Sequence, residues 1–410
     1  QAVAGNRCKI YINGERVTTF VATTNPSLNL EQAINDDVAH NIGWTGSGSE
    51  YLDGYLAETV FIDGLQLTPT SFGQYDSTDT FWTPLSSATI KALTFGTNGF
   101  YLDNTTNAET DASGNGNNLT NNNTVTLSTH TPTNIEFLMS PIFTTNASGV
   151  PTLSNGNRTY TSSSSAAVAT RMGGNIVFPN SGKWLQGVSL TDKDNGKAFG
   201  VWTDLSVSQG FPAVGGFLGW HLTTVMNGYN SSGSSPFTLD LNFTTSDQFW
   251  IAVDIDNSKV WLGFYDDSAS TIAWYAADGG TDGNPATGDN PFESIDCSGM
   301  VFAGAAQNSK AFTLVKEADC PFTIPTGYSF LSTTNLASST TRTHSNLEEY
   351  FDSTLYEGNG AIQRVGQFLP FTNSFTVANS ALFNVANEEY FSRTFETPTD
   401  QDVWSLSWWM

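Results

Sequence analysis

Residues able to carry chemistry are few in this sequence, and their spacings suit holding a ligand better than breaking a bond. A glycan-cleaving strand needs clustered carboxylates written Glu-x-Asp-x-x-Glu, so that alternation aims all three into one cleft as nucleophile and acid/base. No such run occurs. Glu348-Glu349 and Glu388-Glu389 are adjacent pairs, which point to opposite faces of a strand and read as solvated surface or the first turn of a helix. The histidines His40, His130, His221 and His344 stand far apart, with no His-x-x-x-His for zinc. A Gly-x-Ser-x-Gly elbow and a phosphate loop are both missing. The expectation is a protein that is not an enzyme.

Two groups of oxygens invite calcium. Asp254, Asp256 and Asn257 sit at a tight turn, and Asp111, Asn115 and Asn117 lie in a Gly-rich loop. Neither has the twelve-residue loop closed by a bidentate Glu that an EF-hand requires, and Asx-turns place the same residue types without a metal. Calcium is the one cofactor the sequence leaves open. For sugars, the candidates are Trp202, Trp220 and Tyr229, in or beside the Gly- and Ser-rich stretch 206–235, whose loops could present aromatic platforms. The competing reading makes Trp202 and Trp220 inward-facing core residues and leaves Tyr229, between Gly228 and Asn230, as the exposed one.

The elements that would position these residues are strands. Alternating patterns recur about every ten residues, helical periodicity is nearly absent, and short helices are expected only at 31–36, 68–73 and 346–352. Gln248–Asp256 and Lys259–Tyr265 flank Asp256-Asn257-Ser258 and predict a hairpin. Gly299–Ala306 and Ala311–Val315 predict a second, turning between Asn308 and Ser309. That register puts Cys297 opposite Cys320, with Cβ atoms roughly 4.5–5.5 Å apart, a close pair or a disulfide after slight adjustment.

Charged residues make up 13% of the 410-residue chain and the net charge is −24. Such a surface repels phosphate backbones and anionic bilayers, so nucleic-acid partners are disfavoured. No apolar run is long enough for a spanning helix, so membrane insertion is not expected. The predicted division is an opening piece at 1–75, a polar linker at 76–133 whose stretch 105–130 is too rich in Asn, Thr, Ser and Gly to build a core, a domain at 134–335, a connector at 336–381 and a closing piece at 382–410. Both end pieces read as cut: a hairpin over 7–18 opens the chain, and the bulky strand Val403–Met410 closes it. Their open edges are expected to pair with neighbouring copies, with residues outside this sequence, or with each other.

Several motifs, in order, match something specific. Tyr51-Leu-Asp-Gly-Tyr-Leu-Ala-Glu-Thr-Val-Phe-Ile-Asp-Gly64, then Leu67-Thr-Pro-Thr-Ser-Phe-Gly73, resembles the closing strands of laminin G-like (concanavalin A-like) modules, and Lys9-Ile-Tyr-Ile-Asn-Gly14 looks like a hairpin of the same module. Phe95–Asp103, Asp111–Asn117 and Thr131–Asn134 resemble a connector of bacteriophage tail-fibre proteins. Gly182-Lys-Trp184, Asp247–Asp256, Lys259–Gly263 and Pro325–Leu331 follow the order of a SPRY-like domain. Ser380–Phe383, Tyr390–Phe395 and Trp404–Trp408 resemble the first strands of another laminin G-like module. The resemblance implies an all-β chain of tandem antiparallel β-sandwiches, a concanavalin A-like jelly roll and a SPRY-like domain, with little helix. Its functional expectation is a virion structural or adhesion protein, extracellular, a tail fibre or similar appendage, whose partners are other virion proteins, copies of itself and a host-surface glycan. The alternatives are a purely structural capsid decoration or filament subunit and, third, an extracellular glycan hydrolase.

Overall fold

The computed structural model describes residues 3–28, 30, 33–75, 82–145, 151–163, 170–179, 181–192, 196–202, 217–222, 225–239, 243–307, 309–337 and 375–410. The chain divides into two units, one gathering Gln1–Ile135 with Gln367–Met410 and the other spanning Glu136–Gly366. Each is an antiparallel β-sandwich with little helix, the fold class the strand patterns predict.

In the second unit, a seven-stranded sheet runs in the order Met139–Thr145, Thr170–Val177, Val301–Ala306, Lys197–Trp202, Phe217–Leu222, Met226–Tyr229 and Phe237–Leu239. The facing sheet is built around Lys183–Leu190, Gln248–Asp254 and Lys259–Asp266, paired antiparallel in that order. Alternation sends Phe199 and Trp220 from the first sheet against Phe249 of the second, with ring centroids 5.8 and 5.6 Å apart. The outer face of the second sheet is also buried. Trp250, Trp261 and Trp274 lie there beneath Phe322, Ile324, Tyr328 and Phe330 of the segment that follows the last antiparallel strand. Glycines make room for those rings: a Cβ on Gly187 would stand 2.6 Å from Trp250, and one on Gly263 2.7 Å from Trp274. Tyr328–Phe330 joins Lys183–Leu190 as a parallel pair, an exception to the antiparallel expectation.

The hairpin at Asp256-Asn257-Ser258 forms as predicted, with Asp254 opposite Lys259. The second predicted hairpin does not. Val301–Ala306 lies in the seven-stranded sheet between Thr170–Val177 and Lys197–Trp202, whereas Ala311–Leu314 lies in the other sheet. The link between them crosses the sandwich instead of turning within one sheet. Val301–Ala306 is buried at every position and Ala311–Leu314 at all but Thr313, so each fits the middle of a sheet and neither needs the other as partner. Cys297 and Cys320 are therefore not ladder neighbours. Both are free thiols, as is Cys8.

In the first unit, Gly54–Asp63 is the central strand. Trp404–Trp409 pairs along one edge of it, and Ser380–Phe383 and Phe100–Leu102 pair along the other. Of the partners expected for the terminal pieces, this arrangement uses each other. Opposite lies a three-stranded sheet of Ala39–Ile42, Tyr390–Thr394 and Thr120–Asn122. Leu56, Phe61, Phe383 and Phe391 fill the space between.

The predicted linker at 76–133 is instead part of this sandwich. It supplies strands Phe100–Leu102, Thr120–Asn122 and Thr126–Ser128 and the buried Ala108, Leu119 and Val125. Its polar side chains hydrogen-bond the chain's own backbone, so a few apolar residues suffice to anchor it: Asn117 Nδ2, for one, donates to the carbonyls of Thr97 and Gly99 at 2.8 Å. The helix expected at 68–73 is a single 3-10 turn, Pro69–Ser71. Most of the connector predicted at 336–381, the helix expected at 346–352, Glu348-Glu349 and His344 lie outside the described residues, as does much of the stretch 206–235.

Candidate functional site

The structure separates the three aromatic residues singled out from the sequence. Trp220 is fully buried between the sheets of the second unit, its Nε1 donating to the Trp250 carbonyl at 3.1 Å. Trp202 and Tyr229 alternate onto the opposite face of their sheet. There Trp202 is buried against Phe217, with the Arg171 guanidinium 4.7 Å from its ring centroid. Tyr229 alone is half-buried, its ring edge-on to His221.

The proposed calcium oxygens are already engaged by hydrogen-bond donors. Asp254 accepts from Asn257 N at 3.0 Å and Asn257 Nδ2 at 2.9 Å, and its Oδ2 lies 3.0 Å from the Lys183 ammonium. Burial opposes its charge, but these donors hold its carboxyl below the usual range. Asp256 accepts from Gly182 N at 3.0 Å, tying the hairpin to the neighbouring strand. In the other loop, Asp111 accepts from the amides of Tyr101, Ser113 and Asn117, while Asn115 and Asn117 donate to the carbonyls of Gly96, Thr97 and Gly99. Asx-turn chemistry accounts for both groups. No set of three metal-ligating side chains occurs among the described residues.

The arrangement best suited to holding a ligand lies in the first unit. Ala39–Ile42 leads into a hairpin in which Trp44 bridges Tyr51 across the turn Thr-Gly-Ser-Gly-Ser-Glu. The two rings stack with centroids 5.7 Å apart and planes 7° from parallel. Tyr390, at the start of the adjacent strand, joins them at 4.9 Å from Trp44 and 6.1 Å from Tyr51. All three are half-buried, so their outer surfaces meet solvent while their contacts with one another hold them in place.

Alternation along the same three-stranded sheet puts Ile42 and Phe391 inward and Asn41, Ser392, Thr120 and Asn122 outward beside Tyr390. Asn122 Nδ2 donates to Ser392 Oγ at 2.9 Å and to the Thr120 carbonyl at 3.1 Å. The surface thus offers aromatic faces for C–H groups and, beside them, uncharged amides and hydroxyls that both donate and accept. Glu388, exposed, stands at its rim beside Asn123 and two residues before Tyr390. Sequence reasoning missed this surface because it looked for aromatics in the longest Gly- and Ser-rich stretch. The available signal was the symmetry of Trp44 and Tyr51 about a short Gly-Ser turn.

No protein-family model matches the chain, and no curated protein matches it. Among solved structures, the chain is similar to the SPRY domain of human HERC1, at 13% identity over 44% of this chain and 98% of that one, with a TM-score of 0.31. It is similar as well to peanut lectin in complex with a nine-residue peptide, at 14% identity over 48% of this chain and 98% of the lectin, with a TM-score of 0.24.

Proposed function

We propose that this chain is a non-enzymatic attachment protein of a virion appendage, a tail fibre or comparable structure, that holds host-surface glycans weakly and multivalently. One observation carries the binding role: three mutually braced, half-buried aromatic rings border a row of neutral amides and hydroxyls on the outer face of a sheet. Pyranose rings are amphipathic in the matching way, with C–H faces and a hydroxyl girdle. Affinity at one such shallow surface is low, and presentation of many copies raises it without new contacts. The virion location is supported by the order of motifs resembling tail-fibre proteins.

A glycan array followed by calorimetry on the intact protein tests this. Binding is expected in the presence of a chelator, because the acidic loops already have partners. Trp44→Ala and Tyr390→Ala are each expected to weaken it about tenfold, the loss of roughly 1.4 kcal/mol of stacking, with unchanged circular dichroism. An array silent for the wild-type protein would end the glycan reading.

A second reading, that the chain is a purely structural subunit, is favoured by the strand Trp404–Trp409. Its only partner among the described residues is Gly54–Asp63, and it carries no charge or proline to blunt its free edge. Leu406 and Trp408 are 43% and 47% exposed. Under that reading a second copy adds to this edge. Trp408→Glu would then turn an oligomer into a monomer in light scattering; a wild-type protein that is monomeric at high concentration counts against it.

A further inference from the structure

We propose that Glu388 sets the ligand class of the aromatic surface, so that it accepts uncharged, hydroxyl-rich pyranoses and excludes acidic sugars. The proposal rests on the glycan-binding role argued above for the same surface.

The backbone makes an unusual effort to place this side chain. Glu388 has φ 56°, a left-handed conformation that Gly and Asn adopt with least strain. A turn here would form more easily with either of them, and Asn387 stands immediately before. The surrounding residues enforce the geometry. Glu389, buried, accepts from Asn384 N and from Asn387 Nδ2, each at 2.8 Å, and so closes the 3-10 turn Val385–Asn387. The Asn384 side chain caps the same turn by accepting from Ala386 N at 3.0 Å. From the neighbouring strand connection, Asn123 Nδ2 donates to the Glu388 carbonyl at 3.0 Å. The result is an exposed Glu388 fixed beside Asn123 and two residues before Tyr390, at the edge of the three rings. A residue held in a strained conformation by this many contacts is a place to look for function.

Its chemistry then decides the ligand. A carboxylate is an acceptor only, and its two oxygens can take hydrogen bonds from two neighbouring hydroxyls of one sugar. A uronate or sialate brought to the same place would set like charges side by side, on a chain whose net charge is already −24.

The test compares the intact protein with Glu388→Gln, Glu388→Lys and Trp44→Ala against three matched sets of oligosaccharides: neutral, carboxylated and amine-bearing. The wild-type protein is expected to bind neutral sugars at least tenfold more tightly than carboxylated ones. Glu388→Gln should weaken neutral binding less than tenfold and close that gap, and Glu388→Lys should reverse it. Discrimination that survives in Glu388→Gln overturns the proposal, and so does tightest binding of the amine-bearing set by the wild-type protein. A wild-type protein that binds none of the three sets, or Trp44→Ala that binds normally, fails the underlying glycan reading instead.

Discussion

At Glu58 the backbone turns left-handed, with φ 51°, between the part of Gly54–Asp63 that pairs with Ser380–Phe383 and the part that pairs with Phe100–Leu102. The side chain is buried, takes a hydrogen bond from the Tyr101 hydroxyl, and lies near Asp103 and Lys91. Burial, only partly offset by the Tyr101 hydrogen bond, raises its pKa to about 7. An unfolded Glu titrates near 4.3, so between these values the unfolded state has released a proton that the folded state keeps. Stability is fully present below about pH 4.3 and falls as pH rises toward 7, by a total on the order of 3 kcal/mol. Glu58→Gln is expected to remove that fall. Since Asp63, Asp103 and Asp254 are shifted downward and lose stability at acid pH instead, the quantity to measure is the difference in melting temperature between variant and wild type at pH 5 and pH 8. An equal difference at both values would refute the assignment. Asp63 acts as a tie at the same scale. It accepts from Asn35 Nδ2, Asn98 N, Thr399 N and Asp400 N, at 2.8 to 3.3 Å, and so joins three loops. Asp63→Ala leaves the buried Asn35 and Asn98 donors without this partner and should cost about 2–4 kcal/mol in denaturant unfolding.

Strands that alternate or end in a tight turn were legible from sequence, as the Asp256-Asn257-Ser258 hairpin shows. Strands buried at nearly every position were not, because alternation no longer says which sheet they enter; Val301–Ala306 and Ala311–Leu314 went to opposite sheets for that reason. The core contribution of residues 105–130 was illegible for a different one: its polar side chains serve the backbone, a use composition does not reveal. Of the candidate site, Tyr229 was placed correctly as the more exposed ring of its three, and the Trp44–Tyr51–Tyr390 surface went unseen because Tyr390 is far from the other two in sequence. The two-sheet topology makes a thiol prediction. Cys8, which is exposed, should react with a thiol reagent in the native protein, while Cys297, its thiol pushed up to about 12 by burial, should react only after unfolding. Reductant should leave the melting temperature unchanged; a drop would reveal a disulfide that this topology does not provide. The glycine-under-tryptophan contacts make another. Gly187→Ala forces Trp250 aside and should cost about 1–3 kcal/mol, read as a lower denaturation midpoint with an altered tryptophan spectrum.

At the scale of the chain, the sequence of one sandwich is interrupted by the sequence of another. Ser380–Phe383, Tyr390–Thr394 and Trp404–Trp409 complete sheets begun before residue 135. Residues 136–337 made alone should therefore unfold in one cooperative transition, because both sheets of the second unit lie within that span. Residues 1–135 alone lack every partner on one edge of Gly54–Asp63 and keep only Phe100–Leu102 on the other, and should remain unfolded by circular dichroism until a peptide of residues 375–410 is added. A cooperative melt of 1–135 by itself would contradict this division.

The interruption also sets a clock. With translation at roughly 5–20 residues per second, the ribosome needs roughly ten to fifty seconds to pass from Ile135 to Ser380. Throughout that interval Leu56, whose strand partner is Ala381, and the edge of Gly54–Asp63 that Trp404–Trp409 covers wait without their final partners. The inserted sandwich has time to fold first, so it is complete before the strands that flank it in sequence can meet.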